Sequence, residues 1–435
     1  MRSSPSLPCG LLAVAMLAAG CSRVADTAYT LRADTEKLDL PAKHQAEIAE
    51  YLTMFHGTPS NPRMALPDAS AEPTTAAVAK GSVVAPIPRI DKPGYDRITL
   101  QLGHDVYTRQ CAGCHGATGD GKGPAGAFLN PPPRDYRNGV FKFTSTPRGS
   151  KPSRDDLRRI LKYGAKGTSM PAFRFLADED TEAVIDYVQV LASRGQLEID
   201  LIREATDELI EDEDFDPETV AEYVQGISDS WDRADSELVR PLTVNPPRTP
   251  DTIQKGASAF AELSCVKCHG PNARGSKSAD VGQDIWGRTA YPANLAMGML
   301  HGGRRPVDIY RRIYSGINGT PMPSSKDPNT AIGETPELRS DRIWHLVHFI
   351  TAVIDNNGVP DDAQQAIDDM LRHHAPPPTK EPAAEPAAES APELPGADDE
   401  KKAAGLGQGD RSVVWRRQSE RSEWSDRSVS RRAPP

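Results

Sequence analysis

The sequence predicts a mainly α protein: two helical domains of one design, joined by an acidic helical segment, with a disordered C-terminal tail. Three observations predict this. Segments near residues 103–115 return near 256–269, and further matched segments follow in the same order, which marks an internal repeat. Apolar residues recur at helical spacing, and no run alternates long enough for a confident sheet. The formal net charge of −10 is uneven: residues 196–237 hold 16 Asp and Glu against two Arg. No broad basic face points to nucleic acid.

Residues 1–20 read as a lipoprotein-type signal peptide. Arg2 gives a positive start, Leu11 to Ala19 form an apolar run too short for a bilayer-spanning helix, and Ala18-Ala19-Gly20 are small residues ahead of Cys21. Cleavage there leaves Cys21 as the site of lipidation, a tether that does not cross the membrane. Residues 21–55 read as a short helical N-terminal region, with Leu38, Ile48, Leu52 and Phe55 among charges. Residues 56–95 are rich in Pro, Ala, Ser and Thr and read as an extended linker.

Residues 96–195 read as the first compact domain, 196–243 as an acidic helical linker and 244–356 as the second domain. "GHDVYTRQCAGCH" matches "GASAFAELSCVKCH", the second with one extra residue before its first cysteine. Gly103 and Tyr107 share one helix face, as do Gly256 and Phe260. "PRDYRNGVF" from Pro133 matches "PANLAMGML" from Pro292. Asp156 to Pro171 aligns without a gap on Asp308 to Pro323. Each copy closes with an apolar segment whose central aromatic, Tyr187 or Phe349, is placed to pack on the first helix's glycine. Residues 375–435 are low-complexity and too poor in apolar residues to order themselves.

The cysteines carry the chemistry. Cys9 leaves with the signal and Cys21 takes lipid, so Cys111, Cys114, Cys265 and Cys268 remain, all within Cys-x-x-Cys-His. That motif attaches c-type haem. Two thiols add to the two vinyl groups of the porphyrin, and the next histidine is directed at the iron from the same side. Cys111, Cys114 and His115 thus read as one haem site, and Cys265, Cys268 and His269 as a second. Half of a zinc site or a redox dithiol are the plain alternatives. The two pairs stand 154 residues apart, each followed by His, which suits neither.

With these motifs in view, each domain resembles a class I cytochrome c, a helical wrap around a haem with a distal methionine. The resemblance covers about half of the chain. It implies that Met170 in "GTSMPAF" and Met322 in "GTPMPSS" are the sixth ligands, 55 and 53 residues after their histidines. It also implies a proline carbonyl bonded to the proximal histidine's other nitrogen, which the repeat maps to Pro133 and Pro292. His345 and His348 read as packing or surface residues, and His301 as a weak rival to Met322. Arg304, Arg305, Arg311 and Arg312 face haem propionates, a partner or solvent.

Filled His/Met coordination favours electron transfer over oxygen or peroxide chemistry. The expected function is therefore a dihaem c-type cytochrome that is not itself an enzyme. It passes electrons between respiratory-chain or dehydrogenase partners, on the outer side of a bacterial membrane or in the periplasm. The rival is a dihaem peroxidase-like enzyme with one open haem site. The acidic segment serves either to steer a basic partner or as a solvated linker.

Overall fold

The computed structural model describes residues 29, 31–32, 40–70, 82–209, 213–275, 281–327 and 333–373. The expected signal peptide, Cys21 and the expected C-terminal tail lie outside the described residues. No helix among the described residues is long and apolar enough to cross a membrane.

Helix α1 (Ala42–His56) buries Ile48, Tyr51, Leu52 and Phe55, spaced as one helical face. Fully burying a side chain of this kind contributes about 1.5–3 kcal/mol. The chain after α1 is not the expected extended linker where it is described. Strands β1 (Gly57–Thr58) and β2 (Asn61–Pro62) form a hairpin. Strands β3 (Ala65–Pro67) and β4 (Arg89–Asp91) pair antiparallel, with Leu66 opposite Ile90. Met64, Ala65, Val84 and Ile87 are buried. Proline and alanine set the composition, but these few apolar residues give the segment a core to join.

The first domain is built on α2 (Arg97–Gln110), the short turn α3 (Ala112–His115), α4 (Arg154–Tyr163) and α5 (Asp178–Asp207). Asp96 caps α2 by accepting from Ile98 N and Thr99 N, both at 3.0 Å, and Ser153 with Asp156 forms a capping box on α4. A Cβ at Gly103 would overlap the Ala183 carbonyl oxygen and lie 2.9 Å from Tyr187 Cβ, so α2 and α5 cross at backbone contact. Tyr107 and Tyr187 pack there with ring centroids 5.3 Å apart.

The boundary expected after residue 195 falls inside α5. Gly195 does not end the helix; a side chain there would run into the backbone of Arg137, so the glycine serves close packing. The acidic segment accordingly belongs to the first domain rather than separating two. Its α5 portion buries Leu197 and Leu201, and α6 (Pro217–Arg233) buries Val220, Val224, Ile227 and Trp231. Two of its charges are held by residues outside it: Asp232 pairs with Lys92 Nζ at 2.7 Å, which also donates to Ser228 Oγ at 2.6 Å, and Glu198 accepts from Arg32 N at 2.7 Å.

The second domain repeats the first with α7 (Pro250–Glu262), α8 (Cys265–His269), α9 (Pro306–Ser315) and α10 (Pro336–Asp355). A Cβ at Gly256 would overlap the His345 carbonyl oxygen and lie 2.8 Å from Phe349 Cβ, and Phe260 packs on Phe349 at 5.1 Å. The domain does not stop at residue 356. Helix α11 (Asp361–His373) packs on α7 and fully buries Ala363 and Ile367.

Candidate haem sites

Helix α2 runs straight into the first motif. Cys111 N donates to Tyr107 O at 2.8 Å and His115 N to Cys111 O at 2.9 Å, so one turn carries Cys111, Cys114 and His115. The second motif begins after a break: Ser264 adopts φ 59°, absorbing the one extra residue of the second copy before α8 starts. None of the four motif cysteines is paired in a disulfide. Burial pushes the Cys111 thiol up to about 12 and that of Cys265 to about 11.

Each histidine is fixed by one ring nitrogen. His115 Nδ1 donates to Arg134 O at 3.0 Å and His269 Nδ1 to Ala293 O at 3.0 Å. This leaves Nε2 unprotonated and, among the described residues, without a hydrogen-bond partner on both rings, the form an iron ligand requires. Burial also lowers the pKa of both imidazoles, which favours the neutral form.

The acceptors are not Pro133 and Pro292 but the residue after each. The proline carbonyls lie against the turn that follows the motif. A Cβ on Gly121 would lie 2.8 Å from Pro133 O, and one on Gly275 would lie 2.5 Å from Pro292 O. Gly121 N and Gly275 N in turn donate to His115 O and His269 O, each at 2.8 Å. Both glycines stand six residues after the motif's histidine, a repeat signal that the sequence comparison missed. Tyr136, also unforeseen, stacks on His115 with centroids 4.7 Å apart.

The two methionine loops share one hydrogen-bond pattern. Thr168 Oγ1 donates to Ala165 O at 2.7 Å and accepts from Met170 N at 3.1 Å. Thr320 Oγ1 donates to Ile317 O at 2.8 Å and accepts from Met322 N at 3.3 Å. Gly164 and Gly316, at φ 69° and 67°, turn each chain off α4 and α9. Side chains there would press within 2.6 Å of Met170 O and 2.5 Å of Met322 O. The Gly-Thr-x-Met-Pro motif is thus a device for fixing the methionine backbone. Met170 packs against the first domain's core, which includes Cys111.

The other polar residues have structural uses. His348 bonds Thr252 Oγ1 and Asn245 Oδ1, each at 2.9 Å, as a packed histidine. His301 bonds Lys166 O in the first domain. The arginine cluster is mostly tied up within the chain: Arg305 pairs with Asp308 at 2.9 Å, Arg311 donates to Val239 O at 3.1 Å and Arg312 to Lys142 O at 3.1 Å. Among the described residues no three His, Cys, Asp or Glu side chains converge as a bare metal ion would need. Thiols on one turn, an imidazole anchored through Nδ1 and a fixed methionine loop fit covalent haem instead.

A helical wrap bearing that donor set twice defines a c-type cytochrome with two haem domains. Residues 99–188 match the family Cytochrome C oxidase, cbb3-type, subunit III, and residues 253–353 match the family Cytochrome c. Two such domains imply two covalently bound c-type haems and a role in electron transfer. No curated protein matches the chain. Among solved structures, it is similar to a chain of the Kuenenia stuttgartiensis reducing HAO-like protein complex. The identity is 27%, over 58% of this chain and 96% of that chain, with a TM-score of 0.43.

Proposed function

We propose that the chain is a non-catalytic carrier of single electrons with two His/Met-ligated haems. Cys111 and Cys114 would hold the first by thioether bonds, with His115 and Met170 supplying its iron ligands. Cys265 and Cys268 would hold the second, with His269 and Met322. When bound, each haem supplies one-electron chemistry between ferric and ferrous iron. The chain's own task would be to present a histidine and a methionine to each iron in either state. The carbonyls of Arg134 and Ala293 orient the proximal rings, and Thr168 and Thr320 hold the methionine backbones. Export by the signal peptide and lipidation at Cys21 tether the protein on the outer side of a bacterial membrane or in the periplasm. Its partners there are redox proteins of a respiratory or dehydrogenase system.

The observation that carries this reading is the matched pair of methionine loops. A dihaem peroxidase needs one open iron, and neither domain departs from the ligand-loop pattern. Mixing the reduced, haem-loaded protein with hydrogen peroxide and a reductant tests it. No sustained peroxide-dependent turnover is expected. Turnover together with a high-spin haem would replace the carrier with an enzyme.

A further inference from the structure

The methionine loop of the second domain is held from outside its own domain. Residues 142–149 of the first domain lie along it. Arg148 Nη1 donates to Met322 O at 2.6 Å and to Ile317 O at 3.4 Å, and Nη2 donates to Thr320 O at 2.8 Å. Those carbonyls belong to the loop that Thr320 closes. Gly149 N donates to Asn318 Oδ1 at 3.0 Å, and Ser315 Oγ donates to Thr146 O at 3.1 Å. A planar guanidinium holds its forked N–H groups in a fixed geometry that bridges several carbonyls at once, whereas a lysine ammonium is a point charge on a flexible stem.

The two centres differ here. Among the described residues Met170 O accepts only from Ala165 N, at 3.3 Å, with no arginine upon it. The second domain touches the Met170 loop differently, through His301 on Lys166 O and Met299 against Gly167. The repeat alignment cannot show Arg148, because its role lies between the copies.

The geometry points to Arg148 as a positioning residue for the distal ligand of the second haem. It fixes the Met322 carbonyl, hence the backbone that carries the thioether, and so makes ligation at the second centre depend on the first domain. This rests on Met322 being the sixth ligand. The first centre is the internal control.

The test uses the full haem-loaded chain with Arg148→Ala and Arg148→Gln. Two measurements are made: cyanide binding to each oxidised haem, and the proton NMR methyl signals of the ligating methionines in the reduced protein. Met170→His and Met322→His assign the two centres. In Arg148→Ala, cyanide uptake at the second haem is expected to rise about tenfold, the scale of losing hydrogen bonds to a charged donor. The Met322 methyl signal shifts or broadens, while the first haem keeps its rate and its signal. Arg148→Gln, which reaches one carbonyl without charge, gives a smaller change of the same kind. An unchanged second centre in both variants, or equal changes at both centres, overturns the inference. Absence of a Met322 methyl signal in the parent protein would overturn the ligand assignment as well, which separates the two failures.

Discussion

Gly256→Val is expected to unfold the second domain or to destabilise it by about 3 kcal/mol or more, at the upper end for overpacking a filled core. The reason is the crossing of α7 and α10. Even the first carbon of a side chain would overlap the His345 carbonyl oxygen, and Phe349 Cβ would lie 2.8 Å from it. Backbone cannot move aside as a flexible side chain can, so the helices must separate and open the Phe260–Phe349 contact. Gly103→Val should do the same to the first domain, where the Ala183 carbonyl and Tyr187 stand in the equivalent places. Gly226→Ala is the control of opposite sign. Nothing lies within 4 Å of a Cβ there, and Gly226 sits within α6. That change should stabilise by about 0.5–1 kcal/mol through helix propensity. Denaturant unfolding of the three variants decides the matter. Equal, small effects at Gly256 and Gly226 would contradict the crossing.

Met170→Ala and Met322→Ala are each expected to open one iron and leave the other filled. The thioether favours the ferrous state, so losing it lowers that centre's potential. The expected fall is on the order of 0.1 V, a modest part of the ~0.8 V that axial ligands can span. The opened haem should turn high-spin and bind cyanide readily, with haem content still at two per chain. Potentiometric titration read at both centres checks this. A Met→Ala variant that keeps its potential and low-spin spectrum would remove that methionine from the ligand set.

Much of the site was legible because its chemistry is local. Cys-x-x-Cys-His lies on one turn, so spacing alone announces it. Gly103 with Tyr187 and Gly256 with Phe349 were readable because the two copies repeat the pairing. The carbonyls that orient the histidines were placed one residue early, at Pro133 and Pro292. The direction of a carbonyl depends on backbone torsions that composition does not encode. In sequence, the layer made by α1, the small strands and α6 reads as flanking helix and linker. Its few buried residues, such as Phe55, Val84 and Trp231, meet only in three dimensions. The acidic segment looked solvated because charge dominates it, yet its buried Val220, Val224 and Ile227 fasten it to the first domain. The proposed lipidation of Cys21 rests on sequence alone, since that residue lies outside the described residues.

The central claim is two low-spin, methionine-ligated c-type haems in one chain. The most direct measurement is the visible absorption spectrum of the haem-loaded protein, oxidised and reduced, with a pyridine haemochrome assay for haem content. Two covalent haems per chain, the weak far-red band of ferric iron bound to methionine and no high-spin signal are the result expected. A single haem, or a high-spin fraction that takes up cyanide quickly in the parent protein, would contradict it.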